Sequence, residues 1–233
     1  MKYIFTIFFL SWFFIYNVQS HTIELDIATV KNFNVSNVSK IFFKKSDRNM
    51  AILEFEDNLR DAIHYEINEE GLLVYINYPS SSSQKKDLIK AKSTLYIYSD
   101  SPNISDLKFK SIGRIEFNNS VYKKLNLSMK SCSKVNGSIE SDSMVLITEA
   151  SNLEIAGKAN YLLIESDASN YRLKNFKLHE LHLTSRSSNF KIFAAKVIYI
   201  QSFISSNLEY NEAIHLKYAK DANLKSSIFK KLK

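Results

Sequence analysis

Glycine and proline are nearly missing from this chain: four and two among 233 residues. A glycine-rich phosphate loop is thereby excluded. Turns that need positive φ must use other residues, and asparagine or aspartate is the expected substitute. Cysteine is scarcer still. Cys132 stands alone, so no internal disulfide framework holds the fold. A lone thiol is expected to pack as a small side chain, because reactivity needs an exposed, electropositive setting. Neither Gly-x-Ser-x-Gly nor Cys-x-x-Cys occurs. Beyond residue 20 no run is apolar enough to span a membrane.

Charge is plentiful but mixed. The formal net charge is +7, yet lysine and arginine alternate with acidic residues in "LKFKSIGRIEF" and "YRLKNFKLHE". Interspersed charge reads as a solvated surface rather than a block that grips nucleic acid. The N-terminus, "MKYIFTIFFLSWFFIYNVQSH", joins Lys2 to an apolar run and ends in Val18-Gln19-Ser20. That pattern predicts a secretory signal peptide over 1–20, cleaved after Ser20. The mature chain, 21–233, is then a single exported domain with no transmembrane span.

Alternation governs the mature chain. "AILEFE", "GLLVYINY" and "STLYIYS" place apolar residues at every second position, which predicts strands with one face buried. "HYEINEEGLLVYINY" reads as two strands around a turn at Asn68–Gly71. The serine cluster near 80–92 predicts an exposed loop with at most one helical turn.

A repeat overlies this alternation. "EASNLEI", "DASNYRL", "RSSNFKI" and "ISSNLEY" share a small residue, a Ser-Asn pair and an apolar-x-apolar triplet. The polar residue before the triplet recurs at Arg114, Lys134, Asn152, Asn170, Asn189, Asn207 and Asn223, in steps of 16 to 20 residues. A second apolar strand lies inside each step. Self-similarity at this period marks a solenoid, and two short strands per period suit an all-β, right-handed parallel β-helix with coils of ~18 residues. In it, Leu153, Tyr171, Phe190, Leu208 and Leu224 share one inward slot. The asparagines are expected to take the left-handed turn conformation. Their side chains are also expected to bond to one another along the axis, as in cross-β ladders. Residues 21–98 supply N-terminal strands and a cap, 99–226 the regular coils, and 227–233 a basic tail. The lysines of that tail are expected to discourage end-to-end stacking.

The order and spacing of these copies, with "VKNFNVSNVSKIFFKK" ahead of them, resemble the autotransporter-adhesin head GIN domain family over residues 24–226. The resemblance implies a secreted or envelope-facing β-helical protein without catalytic residues. Members of that family carry glycine in a Ser-Gly-Ser turn. Here the slot reads Ile112-Gly113, Cys132-Ser133, Ala150-Ser151, Ala168-Ser169, Ser187-Ser188 and Ser205-Ser206.

Candidate chemistry is thin. β-Helical carbohydrate enzymes need convergent carboxylates on one outer face. Glu149, Glu165 and Asp167, with Asp142 and Arg186 on adjacent coils, are the nearest approach. Solvated turn residues beside lysine and arginine are the simpler account. His179 and His182 have opposite strand parity, which argues against a zinc site. No catalytic residue, cofactor or metal is expected. Outward tyrosines, Tyr96, Tyr98 and Tyr199, are available to a glycan or protein partner. The expected function is non-enzymatic binding or adhesion at the periplasm, outer membrane or cell surface, to a glycan or an envelope protein. A carbohydrate-active enzyme and a self-associating scaffold are the alternatives.

Overall fold

The structure is a computed structural model that describes residues 19–79, 88–100 and 103–232. The leader expected over 1–20 lies outside them except for Gln19 and Ser20. Most of the loop expected at 80–92 also lies outside, although residues 88–90 are helical.

The chain forms a β-solenoid of about seven turns. Strands β9 (Arg114–Lys130), β10 (Lys134–Glu149) and β11 (Asn152–Asp167) each cover most of one coil. Later coils split in two: β12 (Asn170–Leu173) with β13 (Phe176–Arg186), then β14 (Asn189–Ile192) with β15 (Ala195–Ile204). β16 (Asn207–Asn211), β17 (His215–Lys225) and β18 (Ile228–Leu232) complete the rod. Successive coils pair in parallel along two arms. The first arm holds the start of each repeat and the second arm holds its end.

The N-terminal strands extend the same two sheets, but not in chain order. On the first arm β3 (Lys40–Lys44) lies between β9 and β7 (Ser93–Tyr98), and is parallel to both. Antiparallel β4 (Met50–Glu56) and then β1 (Ser20–Asp26) finish that edge. On the second arm β8 (Asp106–Lys110), β2 (Asn32–Ser36) and β6 (Gly71–Ile76) continue in parallel. The hairpin partner β5 (Ile63–Asn68) ends it, with Asn68 opposite Gly71. Leu59, in a 3-10 turn at Asp57–Leu59, covers the core at this end with Ile27 and Val30.

The alternating pattern builds columns. On the first arm Leu53, Leu95, Ile41, Ile115, Val135, Leu153, Tyr171, Phe190, Leu208 and Phe229 stack in register. All but Phe229 are buried. A period of two leaves the residues between them facing solvent. Burial of such side chains stabilises by roughly 1.5–3 kcal/mol each.

Two sequence expectations need correction at the C-terminal end. Asn223 and Leu224 do not occupy the Asn207–Leu208 slot, since they pair with Ser202 and Phe203 on the second arm. The slot is filled by Ile228 and Phe229. Residues 219–222 lengthen β17 against β15, where Ile200–Ser202 opposes Tyr218–Asn223, and this displaces the register. The stretch expected as a basic tail is therefore the final first-arm strand.

Candidate functional site

The corners between coils decide how the outer face is presented. Positive φ falls on Ser111, Ser131, Ala150, Ala168, Ser187, Ser205 and Ser226. The asparagines expected there instead lie in strand, with Asn170 and Asn189 donating backbone N–H to Ser151 and Ser169 of the preceding coil. The small residue two positions earlier makes the turn. It lacks β-branching, so its left-handed cost stays near ~1–2 kcal/mol.

The serine between them is buried and holds the corner shut. Ser151, Ser169, Ser188 and Ser206 are each 1% exposed or less. Each hydroxyl donates to the carbonyl two residues back, at 2.8–3.0 Å. Each also accepts the backbone N–H from the coil before, at 3.1–3.2 Å. Cys132 takes the first rung of this ladder. Its N–H reaches Ser151 Oγ, its Sγ lies 3.7 Å from the Lys130 carbonyl, and burial pushes its pKa up. The thiol is a structural rung and a poor nucleophile.

With the corner fixed, the asparagines project outward as a ladder. Asn207 Nδ2 donates to Asn189 Oδ1 at 2.7 Å, Asn189 to Asn170 at 2.9 Å, and Asn170 to Asn152 at 2.8 Å. Asn152 finishes on the Ser133 carbonyl at 3.2 Å. Each exposed amide keeps one N–H and one lone pair for another molecule. Two residues on, a second outward row runs Asn136, Glu154, Arg172, Lys191, Glu209 and Lys230. Lys191 and Lys230 grip Glu209 at 2.8 and 3.6 Å. The hydrogen bond from Lys191 is the main reason the Glu209 pKa falls below the ordinary range. Between the rows runs a groove of about 650 Å³, floored by the backbone of Leu153, Tyr171, Phe190 and Leu208.

Toward the N-terminal end the same face becomes aromatic. Phe42 stacks on Tyr96 with centroids 5.4 Å apart, and Tyr98 lies 6.4 Å beyond. Lys44 Nζ sits 4.7 and 5.1 Å from the tyrosine rings, and Arg114 sits 5.9 Å from Phe42. Among the described residues, Arg114 Nε and Asn136 Oδ1 are buried polar atoms without a hydrogen-bond partner in the protein. Both lie where this patch meets the groove.

Residues 25–212 match a protein family described as "putative auto-transporter adhesin, head GIN domain". The chain belongs to this family. No curated protein matches the chain. Among solved structures, this head GIN domain is similar to a "putative adhesin" of Bacteroides fragilis. That match has TM-score 0.71 and 14% identity, over 92% of this chain and 97% of that one. A "putative lipid binding protein" of Parabacteroides distasonis has TM-score 0.61 and 12% identity, over 93% and 98% of the chains. A "putative adhesin" of Parabacteroides merdae has TM-score 0.54 and 13% identity, over 93% and 98%. At such identities the likeness concerns the fold.

The remaining candidates of the head GIN domain are dispersed. Glu149 and Asp167 are neighbours on adjacent coils, in the row Lys130, Glu149, Asp167, Arg186. Lys130 holds Glu149 at 2.7 Å, so the two adjacent carboxylates are flanked by a cation on either side. Glu165 is on the same edge, while Asp142 lies on another side beside Lys123, Lys158 and His179. His182 stacks on Tyr199 at 4.7 Å, and His215 falls in a different row, opposite Val197. Among the described residues no group of three or more His, Cys, Asp or Glu could hold a metal ion, and no helix is long and apolar enough to cross a membrane. Sequence reading missed the serine ladder and the Phe42–Arg114 patch. The serines stand within each repeat, and their fixed place before the asparagine is the available signal.

Proposed function

We propose that this head GIN domain is an exported envelope- or surface-facing binding protein that holds an extended glycan along its first-arm groove, without catalysis. The observation that carries this reading is the asparagine ladder on the lip of the groove. It sets identical donor and acceptor pairs at the strand spacing of ~4.8 Å, beside a row of mixed charges. Polymers of repeating hydroxyls and acid groups complement such a surface through many weak, regularly spaced hydrogen bonds. Rigidity adds to this, since amides already ordered by one another lose little entropy on binding. Family membership supports the adhesive role and the outward location. The flanking of Glu149 and Asp167 by Lys130 and Arg186 favours solvated, paired charge over an acid–base pair.

A protein partner is the second reading, favoured by the aromatic patch. Phe42 and Tyr96 present edges, because they stack on each other while Arg114 and Lys44 cover faces. Ring edges with cations suit a protein surface better than a sugar face. A glycan array and an envelope-protein screen, run with the parent chain and with Asn170→Ala/Arg172→Glu, separate the two. Loss of glycan retention in that variant supports the groove. Retention of no glycan, or equal retention by the variant, refutes it, and turnover of an anionic polysaccharide refutes the non-enzymatic reading. N-terminal sequencing of the exported chain tests the leader, with His21 expected as the first residue.

A further inference from the structure

The two ends of the solenoid differ in charge, and both leave strand edges open. At the C-terminal end the inward columns stop uncovered. Tyr218 and Leu224 are 49% and 44% exposed, Phe229 and Leu216 are only partly buried, and beside them Ile228, in the outward row of the asparagines, is 62% exposed. Among the described residues, β18 pairs only with β16 and β17 only with β15, so both arms end in open strand edges. Around this opening residues 212–232 carry five lysines against Glu212 and Asp221.

The opposite end is the complement. β1 on the first arm and β5 on the second pair only with β4 and β6 among the described residues. Ile23 and Leu25 are partly buried there, and Tyr65 and Ile67 are 44% and 39% exposed. Residues 54–70 hold seven carboxylates and one arginine, and β1 adds Glu24 and Asp26. Edge strands with free backbone groups recruit further strands unless charge prevents it. Here the charges prevent like ends from meeting and favour unlike ends.

We infer that copies of this chain stack head to tail, the basic C-terminal end of one on the acidic N-terminal end of the next. The first-arm column that starts at Ile23 and ends at Phe229 then continues across the junction, and Tyr218 on the second arm faces Ile67. The lysines expected to block stacking act only against a second basic end. Such a contact is heterologous and does not close on itself, so it yields rods that lengthen with concentration. It is independent of the groove and would repeat the first-arm face along the rod.

Sedimentation of the full chain tests this. At low salt the weight-average mass should rise to about twice the monomer's or beyond as concentration increases, and fall back at high salt. Lys220→Glu/Lys225→Glu/Lys231→Glu makes both ends acidic, and Glu24→Lys/Glu54→Lys/Glu66→Lys/Glu69→Lys/Glu70→Lys makes the N-terminal end basic like the other. All eight positions are exposed, and circular dichroism verifies that each variant folds. Each variant alone should remain monomeric, and an equimolar mixture should assemble as the parent does. A parent that stays monomeric, variants that assemble unaided, or a mixture that does not assemble overturns the proposal. So does a monomer that instead cosediments with phosphatidylserine vesicles through these lysines.

Discussion

Replacing Ser188 by alanine should cost far more than its size suggests. Its hydroxyl donates to the Arg186 carbonyl at 3.0 Å, accepts the Ser169 N–H at 3.1 Å and meets Ser166 Oγ at 2.8 Å. The single proton is committed to Arg186, so Ser166 must be the donor in the third contact. Alanine leaves the Arg186 carbonyl a second donor, the Ala168 N–H at 3.0 Å. Ser166 retains Thr148 nearby at 3.4 Å. The Ser169 N–H, in a residue 1% exposed, keeps nothing. A stranded buried donor costs ~1–3 kcal/mol, and the weakened Ser166 contact brings the total to about 2–3 kcal/mol. For a chain of this length that lowers Tm by about 4–12 °C. Asn189→Ala, which breaks two exposed amide bonds on the same coil, should cost at most ~1 kcal/mol. Urea denaturation followed by circular dichroism ranks the two, and hydrogen exchange at Ser169 reports the orphaned amide directly. If Ser188→Ala lies within ~0.5 kcal/mol of the parent, or costs no more than Asn189→Ala, the buried ladder does not hold the corners.

Ala168→Gly should be neutral to stabilising by up to about 1 kcal/mol in the same assay, because φ of 47° strains alanine more than glycine's chain entropy costs. Gly157→Ala should prevent the native coil from forming, since at φ 128° a Cβ would sit 1.8 Å from the Ile139 carbonyl oxygen. Burial pushes the Tyr171 phenol up to about 12. A raised folded pKa gives stability that is fully present below the unfolded value of about 10 and is lost as pH rises through about 12. Phenolate absorbance should therefore show late-ionising tyrosines, with one fewer in Tyr171→Phe, and early ionisation of every tyrosine would contradict the buried hydroxyl cluster.

How far the sequence could be read follows from which signals are local. Alternation sets the face of each strand, so the buried Leu53, Leu72 and Leu95 were visible from their neighbours. The coil period was visible because every coil repeats the same corner. The last corner was misplaced because asparagine was followed as its mark. What recurs from coil to coil is a small left-handed residue followed by a buried side chain, a serine hydroxyl at the four Ser-Asn corners. Ser226-Ser227 meets the first part and hydrogen-bonds across the corner, while Ile228 stands where earlier coils have asparagine. The order of β1 to β8 could not be read at all, because pairing β3 with both β7 and β9 joins segments about 50 and 70 residues apart. The groove arises between two rows on several strands, so no single segment announces it.

The placement of β3 between β7 and β9 also governs how the rod can be assembled. A chain emerging from its N-terminus releases β2 and β3 early, but neither has a neighbour until residues 71–130 arrive. This non-local step closes long loops before any contact offsets their entropy, and it is the slow one. Every later coil pairs with one only ~18 residues behind it, through nearest-neighbour contacts that close short loops. Shortening from the C-terminal side would leave a shorter rod, whereas loss of the first hundred residues would strip β2 and β3 from β8 and β9 and leave the first regular coil with both arms uncovered.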